Sequence, residues 1–535
     1  MKKRVLSMGM AMILAMSTLA GCSSGNATKD TAATTAAAAA AATTAAAAAE
    51  TTAAPTAEAS NVLYSNGGPQ EFFETPWLNP GSFMYNKTLY DHLLVADNAL
   101  SPKEGQLAAT YEMSADGKTL KFTLRDNIFW HDGEAITADD IKWSVEYALK
   151  TTVLNAVFTS TFKAIDGAKD YLDGKAEAIS GIVVDGKNIT INFAKVAPDA
   201  LLTFTQFAPL PKKYFEGVDP LTFQQSKFFQ SPIGSGPFKI KEVQMNNYTL
   251  LEGFDKYWNG TPKYQIHLNP SAGDSDPNFV TNAKAGKLDY AYSKNIADIK
   301  AVEGTPGLNI ETVQVRYTRL LYMNKFNKKD GKPSPLADPK VRQAMAYALD
   351  MKSILDGIFE GAALPANSLT PDGADKATGL NSYDYDVEKA KALLKEANWD
   401  PNTTLDVVYY YTDQQTQDLM AIVQQYLAEV GIKMNARLVE GDLATILWKA
   451  PADAANGPSA VDWDMCYAAI GALSLHEYYD RFQSGNALNS HTPTDEKLGT
   501  LLEATNTIDP AAQKKAFNDV QKYENETLFC LPLYY

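Results

Sequence analysis

Residues 23–60 decide where this chain can fold, because they supply nothing to bury. Ala, Thr and Ser fill most of the segment, which holds no aromatic residue and no Val, Leu, Ile or Met. Ordering backbone costs about 1–2 kcal/mol per residue, and here no apolar burial offsets it. The segment reads as a tether with transient helix in its Ala runs, reaching about 35 Å as a flexible coil. Any core must come from residues 61–535. The length of 535 residues allows about three lobes at roughly 150 residues each. A hydrophobic content of 45% lets those lobes hold large cores.

Ahead of the tether, Lys2, Lys3 and Arg4 precede an apolar run from Val5 to Leu19. A basic start followed by an apolar stretch too short to span a bilayer comfortably is the pattern of an export signal. The run ends Leu19-Ala20-Gly21-Cys22, which resembles a bacterial lipobox. That resemblance implies a signal peptide over 1–21, with cleavage before Cys22 and lipidation (palmitate or a similar acyl chain) of its thiol. Residues 22–60 would then hold the body at the outer face of the bacterial cell membrane by lipid alone.

A net charge of −15 argues against nucleic acid as a partner, which needs a basic footprint. The five His (His92, His131, His267, His476, His491) and three Cys (Cys22, Cys466, Cys530) show no C-x-x-C or H-E-x-x-H spacing. Neither a metal site nor a cofactor is expected from them. Cys466 and Cys530 read as buried free thiols, with a disulfide left as the alternative.

The stretch LRDNIFWHDGEAITADDIKWSVEYAL (124–149) contains His131-Asp132-Gly133-Glu134, an imidazole flanked by carboxylates. It could pass for an active site, but local chemistry favours architecture. Leu120, Phe122 and Leu124 alternate with polar residues, the period of a strand over 118–125. Asp132-Gly133 is a turn pair. Thr137 and Asp140 have the spacing of a helix cap, and Ile141, Val145, Ala148 and Leu149 share the following helical face. A second strand at 187–193 suggests an antiparallel lobe. Residues 405–411, 414–430 and 432–438 read as a β-α-β unit with Gly431 stopping the helix, which predicts parallel pairing. Asp338-Pro339 and Asp386 open two more capped helices.

Seven segments in order then resemble one family, the extracellular solute-binding proteins of family 5 of the ABC importers. They are LAATYEMSADGKTLKFTLRDNIFWHDGEAITADDIKWSVEYAL (107–149), GSGPFKIKE (234–242), DKYWNGTP (255–262), AGKLDYAY (285–292), LADPKVRQAMAYALD (336–350), YDVEKAKALLKEANW (385–399) and LAEVGIKM (427–434). The resemblance implies an α/β, two-lobed, periplasmic-binding-protein-like clam shell with an extra subdomain in the first lobe. The expected first-lobe segments are 61–95 and 211–315, with the extra subdomain at 96–210. The second lobe is expected at 316–505. A return to the first lobe is expected at 506–535, cut short relative to many members. The family implies no catalysis and no cofactor. It implies a monomer that captures an extracellular solute, an oligopeptide or dipeptide, for a membrane permease with two cytoplasmic ATPases.

Peptide-binding members follow a W/Y-D motif with a stretch like G-W-x-A-D-Y, whose backbone pairs with the peptide and whose Asp meets the α-ammonium. Here Tyr467, Ala469, Ile470, Gly471 and Leu473 occupy that stretch, with Ile470 in place of the Trp and Leu473 in place of the Asp. Loss of that carboxylate removes a charge-assisted bond of about 1.5–3 kcal/mol. Glu477 or Asp480 could substitute from a shifted loop. By analogy Ser82, Phe83 and Met84, after the first strand, and Tyr317 and Arg319, at the lobe crossing, also line the cleft. Alternate rings of Tyr409-Tyr410-Tyr411 are expected on opposite faces. Alternatives on the same fold are an oligosaccharide or metal-chelate binder, or a peptide-signal receptor. The rival from another class is a secreted hydrolase, for which no G-x-S-x-G motif speaks.

Overall fold

The computed structural model describes residues 61–81, 84–271, 276–313, 315–486 and 488–535. Cys22, the tether, Ser82 and Phe83 lie outside them. β1 (Val62–Gly68) opens the described chain, and β2 (Leu94–Ala96) and β3 (Pro102–Gly105) form a short antiparallel pair. β4 (Ala108–Met113), β5 (Thr119–Leu124), β6 (Ile182–Asp185) and β7 (Asn188–Asn192) make an antiparallel sheet in the order β4-β5-β7-β6. β8 (Phe238–Gln244), β9 (Tyr248–Gly253) and β10 (Gln265–Pro270) join β1 in the order β1-β10-β9-β8. One continuous core, from Phe73 to Leu268, serves both four-stranded sheets. The antiparallel segment expected as an extra subdomain therefore shares its interior with the β1 sheet.

The family motifs in this half are hydrogen-bonded joints. Asp91 is buried and accepts from Gln106 Nε2 at 2.7 Å, Trp258 Nε1 at 2.8 Å and Tyr257 OH at 3.1 Å. The DKYWNG segment thus ties the end of β9 to the turn that precedes β2. His131 donates from Nε2 to the Gly236 carbonyl at 3.0 Å and accepts at Nδ1 from Gly234 N–H at 3.1 Å. A Cβ at residue 234 would fall 1.8 Å from the Leu89 carbonyl oxygen, which is why the Gly-Ser-Gly segment can dock there. Gly133 has φ +90°, Thr137 and Asp140 cap each other, and the helix Ala138–Leu149 follows. The HDGE run is a turn.

The other half is built on β11 (Tyr317–Met323), β12 (Thr404–Tyr409), β13 (Lys433–Leu438), β14 (Met465–Gly471) and β15 (Cys530–Tyr534), ordered β13-β12-β14-β11-β15. Successive side chains point to opposite faces. Leu321, Met323, Met465, Tyr467, Val407 and Leu531 enter one core beneath the helices Pro339–Ala348, Val387–Glu396 and Gln414–Glu429. Leu320, Tyr322, Cys466, Ala468, Ile470 and Cys530 enter another beneath Glu496–Glu503 and Pro510–Thr527. The β-α-β unit is parallel, from Thr404↔Lys433 to Tyr409↔Leu438. Asp338 and Asp386 cap their helices through Lys340 N–H and Lys389 N–H.

One expectation is corrected here. Residues 506–535 do not return to the first half: they supply the helix Pro510–Thr527 and β15, which pairs antiparallel with β11. The final strand, CLPLY, is apolar throughout and buried at every residue, and the open edge that accepts it is β11. Cys466 and Cys530 are buried free thiols on strands either side of β11, both opposite Tyr322. Two strand spacings, about 9.6 Å, are too wide for a disulfide.

Candidate functional site

At the outer end of β11, Tyr317 lies opposite Gly471 and Arg319 opposite Ala469. The Arg319 guanidinium carbon sits 4.1 Å from the Tyr411 ring centroid, 5.3 Å from Tyr317 and 5.7 Å from Tyr467. Tyr467 and Tyr534 share a hydroxyl hydrogen bond of 2.7 Å, and Tyr410 and Tyr411 one of 2.9 Å. Lys294 lies over the other part of this cluster, 5.2 Å from the Tyr317 ring. Arg319 is half-buried, its Nη1 is sealed from solvent, and among the described residues no group accepts from it.

β14 also leaves an edge open beside these rings. Ala472 N–H donates to Arg316 O and Asn324 N–H to Asp464 O, which sets the phase of the antiparallel ladder with β11. Directly opposed pairs exchange bonds alternately. Thr318/Ile470 and Leu320/Ala468 are thus the bonded pairs, and the backbone groups of Ala469 and Gly471 point away from β11. On that side β12 pairs with β14 only over Met465–Tyr467. Beyond Tyr467, among the described residues, no strand covers it. The reason is that β12 ends at Tyr409. Tyr409 and Tyr411 still pack toward one core and Tyr410 toward the other, as alternation requires. Past the strand end, however, the Tyr410 and Tyr411 rings tilt together with centroids 4.3 Å apart.

Of the residues expected at a ligand, the structure gathers Tyr317, Arg319, Tyr467, Ala469 and Gly471. Ile470 and Tyr467 are both 1% exposed: the Ile470 side chain faces the opposite core and is corrected to a packing role, and the Tyr467 ring lies within the core beneath the helices, behind Tyr411. Met84 packs against the first core. Leu473 does so too, its N–H donating to Glu477 Oε2 at 2.7 Å and its carbonyl accepting from Arg316 at 2.6 Å. Glu477, the carboxylate expected as a substitute anchor, is engaged by Leu473 and by Asn155 Nδ2 at 3.4 Å. Burial pushes the Asp480 carboxyl up to about 6. Tyr534, Lys294 and Arg316 went unread in the sequence, since only the sheet order brings them here.

A second constellation joins the two halves. Asp199 accepts from Ser474 Oγ at 2.7 Å and lies 3.2 Å from His476 Nδ1, while Thr505 Oγ1 is 3.0 Å from His476 Nε2. Asp, His and Thr in that order have the contacts of a hydrolytic triad. Thr505 is fully buried, though, and its hydroxyl donates to the Leu502 carbonyl at 2.6 Å, so no substrate reaches it. Burial pushes the His476 imidazole down, and the Asp199 carboxylate outweighs this and raises it. Among the described residues no group of three or more His, Cys, Asp or Glu is placed to hold a metal ion, and no helix is long and apolar enough to cross a membrane.

Residues 104–487 match the family described as bacterial extracellular solute-binding proteins, family 5 (middle part). The oligopeptide-binding protein OppA of Lactococcus lactis subsp. lactis is 26% identical over 464 residues, covering 79% of this chain and 76% of the relative. Among solved structures, lactococcal OppA complexed with an endogenous peptide in the closed conformation superposes with a TM-score of 0.71 at 22% identity, covering 89% of this chain and 94% of that one. NikZ from Campylobacter jejuni in complex with Ni(L-His) gives 0.64 at 20% identity, covering 89% and 92%. The fold is the two-lobed one of these binding proteins.

Proposed function

The chain belongs to the bacterial extracellular solute-binding proteins of family 5, and we propose that the solute it captures is a peptide. Membership makes it the extracytoplasmic, non-catalytic binding component of an ABC importer. The observation that carries the peptide reading is the open edge of β14 at Ala469 and Gly471. An extended peptide adds to such an edge through main-chain hydrogen bonds, which accept many sequences. The names of the relatives agree with it. In this reading Tyr317, Arg319, Tyr467, Ala469 and Gly471 meet the ligand, and Ser82, Phe83, Met84 and Leu473 are further candidate contacts. The protein acts as a monomer and is held to the membrane by lipid on Cys22.

A thermal-shift screen of the purified body against peptide, sugar and metal-chelate libraries tests the reading, since a bound solute raises apparent stability by mass action. Peptides are expected to raise the midpoint. A rise with sugars or metal chelates alone would overturn it. Mass spectrometry of membrane-extracted protein should find a diacylated Cys22 at the N-terminus; a mature terminus within 23–60 would remove the anchor.

A further inference from the structure

We propose that Arg319, with Tyr317, Tyr411 and Tyr467, forms a subsite for a carboxylate group of the captured solute. This deepens the reading above and rests on it, since it takes the cluster to face the solute. Ring stacking engages the faces of a guanidinium, but its N–H hydrogens lie in the plane and remain without acceptors. Among the described residues no hydrogen bond or ion pair reaches Arg319, and Nη1 is a buried donor with no partner. Such a group cannot escape its cost by losing its proton, because arginine stays charged.

The described surroundings add donors. The Tyr410–Tyr411 pair uses one hydroxyl hydrogen between its members and leaves the other for an incoming acceptor, while the Tyr467–Tyr534 pair is buried behind it. Asp413, whose charge bears on Tyr467 and Tyr534, has both oxygens engaged by Thr416 at the start of its helix. Lys294 adds a second cation on the Tyr317 ring. A planar carboxylate answers this geometry, taking two parallel N–H bonds from the guanidinium and a hydroxyl bond at its rim. The side chain that would clash is missing: a Cβ on Gly471 would lie 3.4 Å from the Tyr317 ring. Leu473 supplies no charge for an ammonium nearby, so selectivity is shifted from the cationic to the anionic end of a ligand.

Calorimetric titration of the full chain with two matched probe pairs tests this. One pair is N-acetyl-tetra-alanine as free acid and as amide; the other is trigalacturonate and its methyl ester. The free acid of the peptide pair is expected to bind about tenfold tighter or more, ~1.4 kcal/mol. Arg319→Gln should level the pair, and Arg319→Lys should keep part of the preference. Equal binding of acid and amide by the unsubstituted protein overturns the subsite and leaves the peptide reading standing. An acid preference that survives in a folded Arg319→Gln protein also overturns it. Should that variant not fold, Arg319→Lys decides, since an undiminished preference there excludes the guanidinium fork. Binding of trigalacturonate alone, over its ester, overturns the peptide reading and retains the subsite. Binding of neither pair overturns both.

Discussion

At position 524 a carboxylate sits where the fold excludes water, with its Oε1 4.0 Å from the Cys530 thiol. Burial pushes that carboxyl up to about 8. A carboxyl raised on folding contributes its stability in acid and loses it as pH climbs from the unfolded value of 4.5 through 8. Glu524→Gln keeps the shape and removes the titration. It is expected to stabilise the protein by roughly 1–3 kcal/mol at pH 8 and by nothing measurable at pH 4, read from denaturant midpoints. His131 behaves in the opposite sense, because burial pushes it down to about 4. Its contribution is full above the unfolded value of 6.5 and is lost as pH falls through 4. Its ring is bonded to the Gly234–Gly236 backbone, so His131→Ala should leave ligand affinity within a few-fold. Asp132-Gly133 replaced by Ala-Ala should lower stability, because residue 133 needs φ +90°. A hundredfold loss of affinity for His131→Ala, with stability intact, would make the imidazole a ligand contact. The turn was legible in the sequence because Asp-Gly, Thr137 and Asp140 act within a few residues of one another. The Arg319 cluster was legible only in part. Arg319, Tyr317 and Tyr467 stand out as candidates, but Tyr534 and Lys294 reach them through pairings between distant segments.

Elements whose signals are local were legible for the same reason: the caps at Asp338 and Asp386, the β-α-β unit and the antiparallel pairing of β5 with β7. The position of β15 was not, because a strand apolar at every residue carries no mark of which edge it will join. The open edge of β14 makes a prediction at this scale. Proline has no N–H, and the Ala469 N–H points away from β11 into the space a peptide would occupy. Ala469→Pro is expected to weaken peptide binding about tenfold or more while thermal stability stays close to that of the parent. A large loss of stability would mean that this N–H already has a partner in the sheet. The Asp199–His476 contact makes another. An imidazole raised on folding contributes fully below its unfolded value of 6.5 and loses the contribution as pH rises through its folded value. The joint between the two halves should thus weaken toward alkaline pH. A melting-midpoint profile across pH 6 to 9 should flatten in Asp199→Asn; an unchanged profile would show that His476 does not titrate there.

Over the whole molecule, one core serves residues Phe73 to Leu268, while the five-stranded sheet carries its own cores on both faces. The chain passes from one half to the other through residues 303–316, whose described residues hold no strand and expose Val313 at 74% and Val315 at 60%. Among the described residues the polar side-chain contacts between the halves, Asp199 with Ser474 and His476, Asn155 with Glu477 and Lys300 with Glu360, are few. Interfaces of that kind separate at small cost compared with opening a core, so motion should concentrate at the crossing and leave each half rigid. A solute held by the β14 edge on one half and by the facing half on the other adds contacts available only when the two are close. Small-angle scattering of verified empty protein is therefore expected to show a larger radius of gyration than at ligand saturation. Asp199→Ala, which removes part of the joint, should expand the empty protein further and leave the saturated profile unchanged. Identical profiles with and without ligand would show that binding does not move the halves, and would assign the Asp199 joint to fold stability alone.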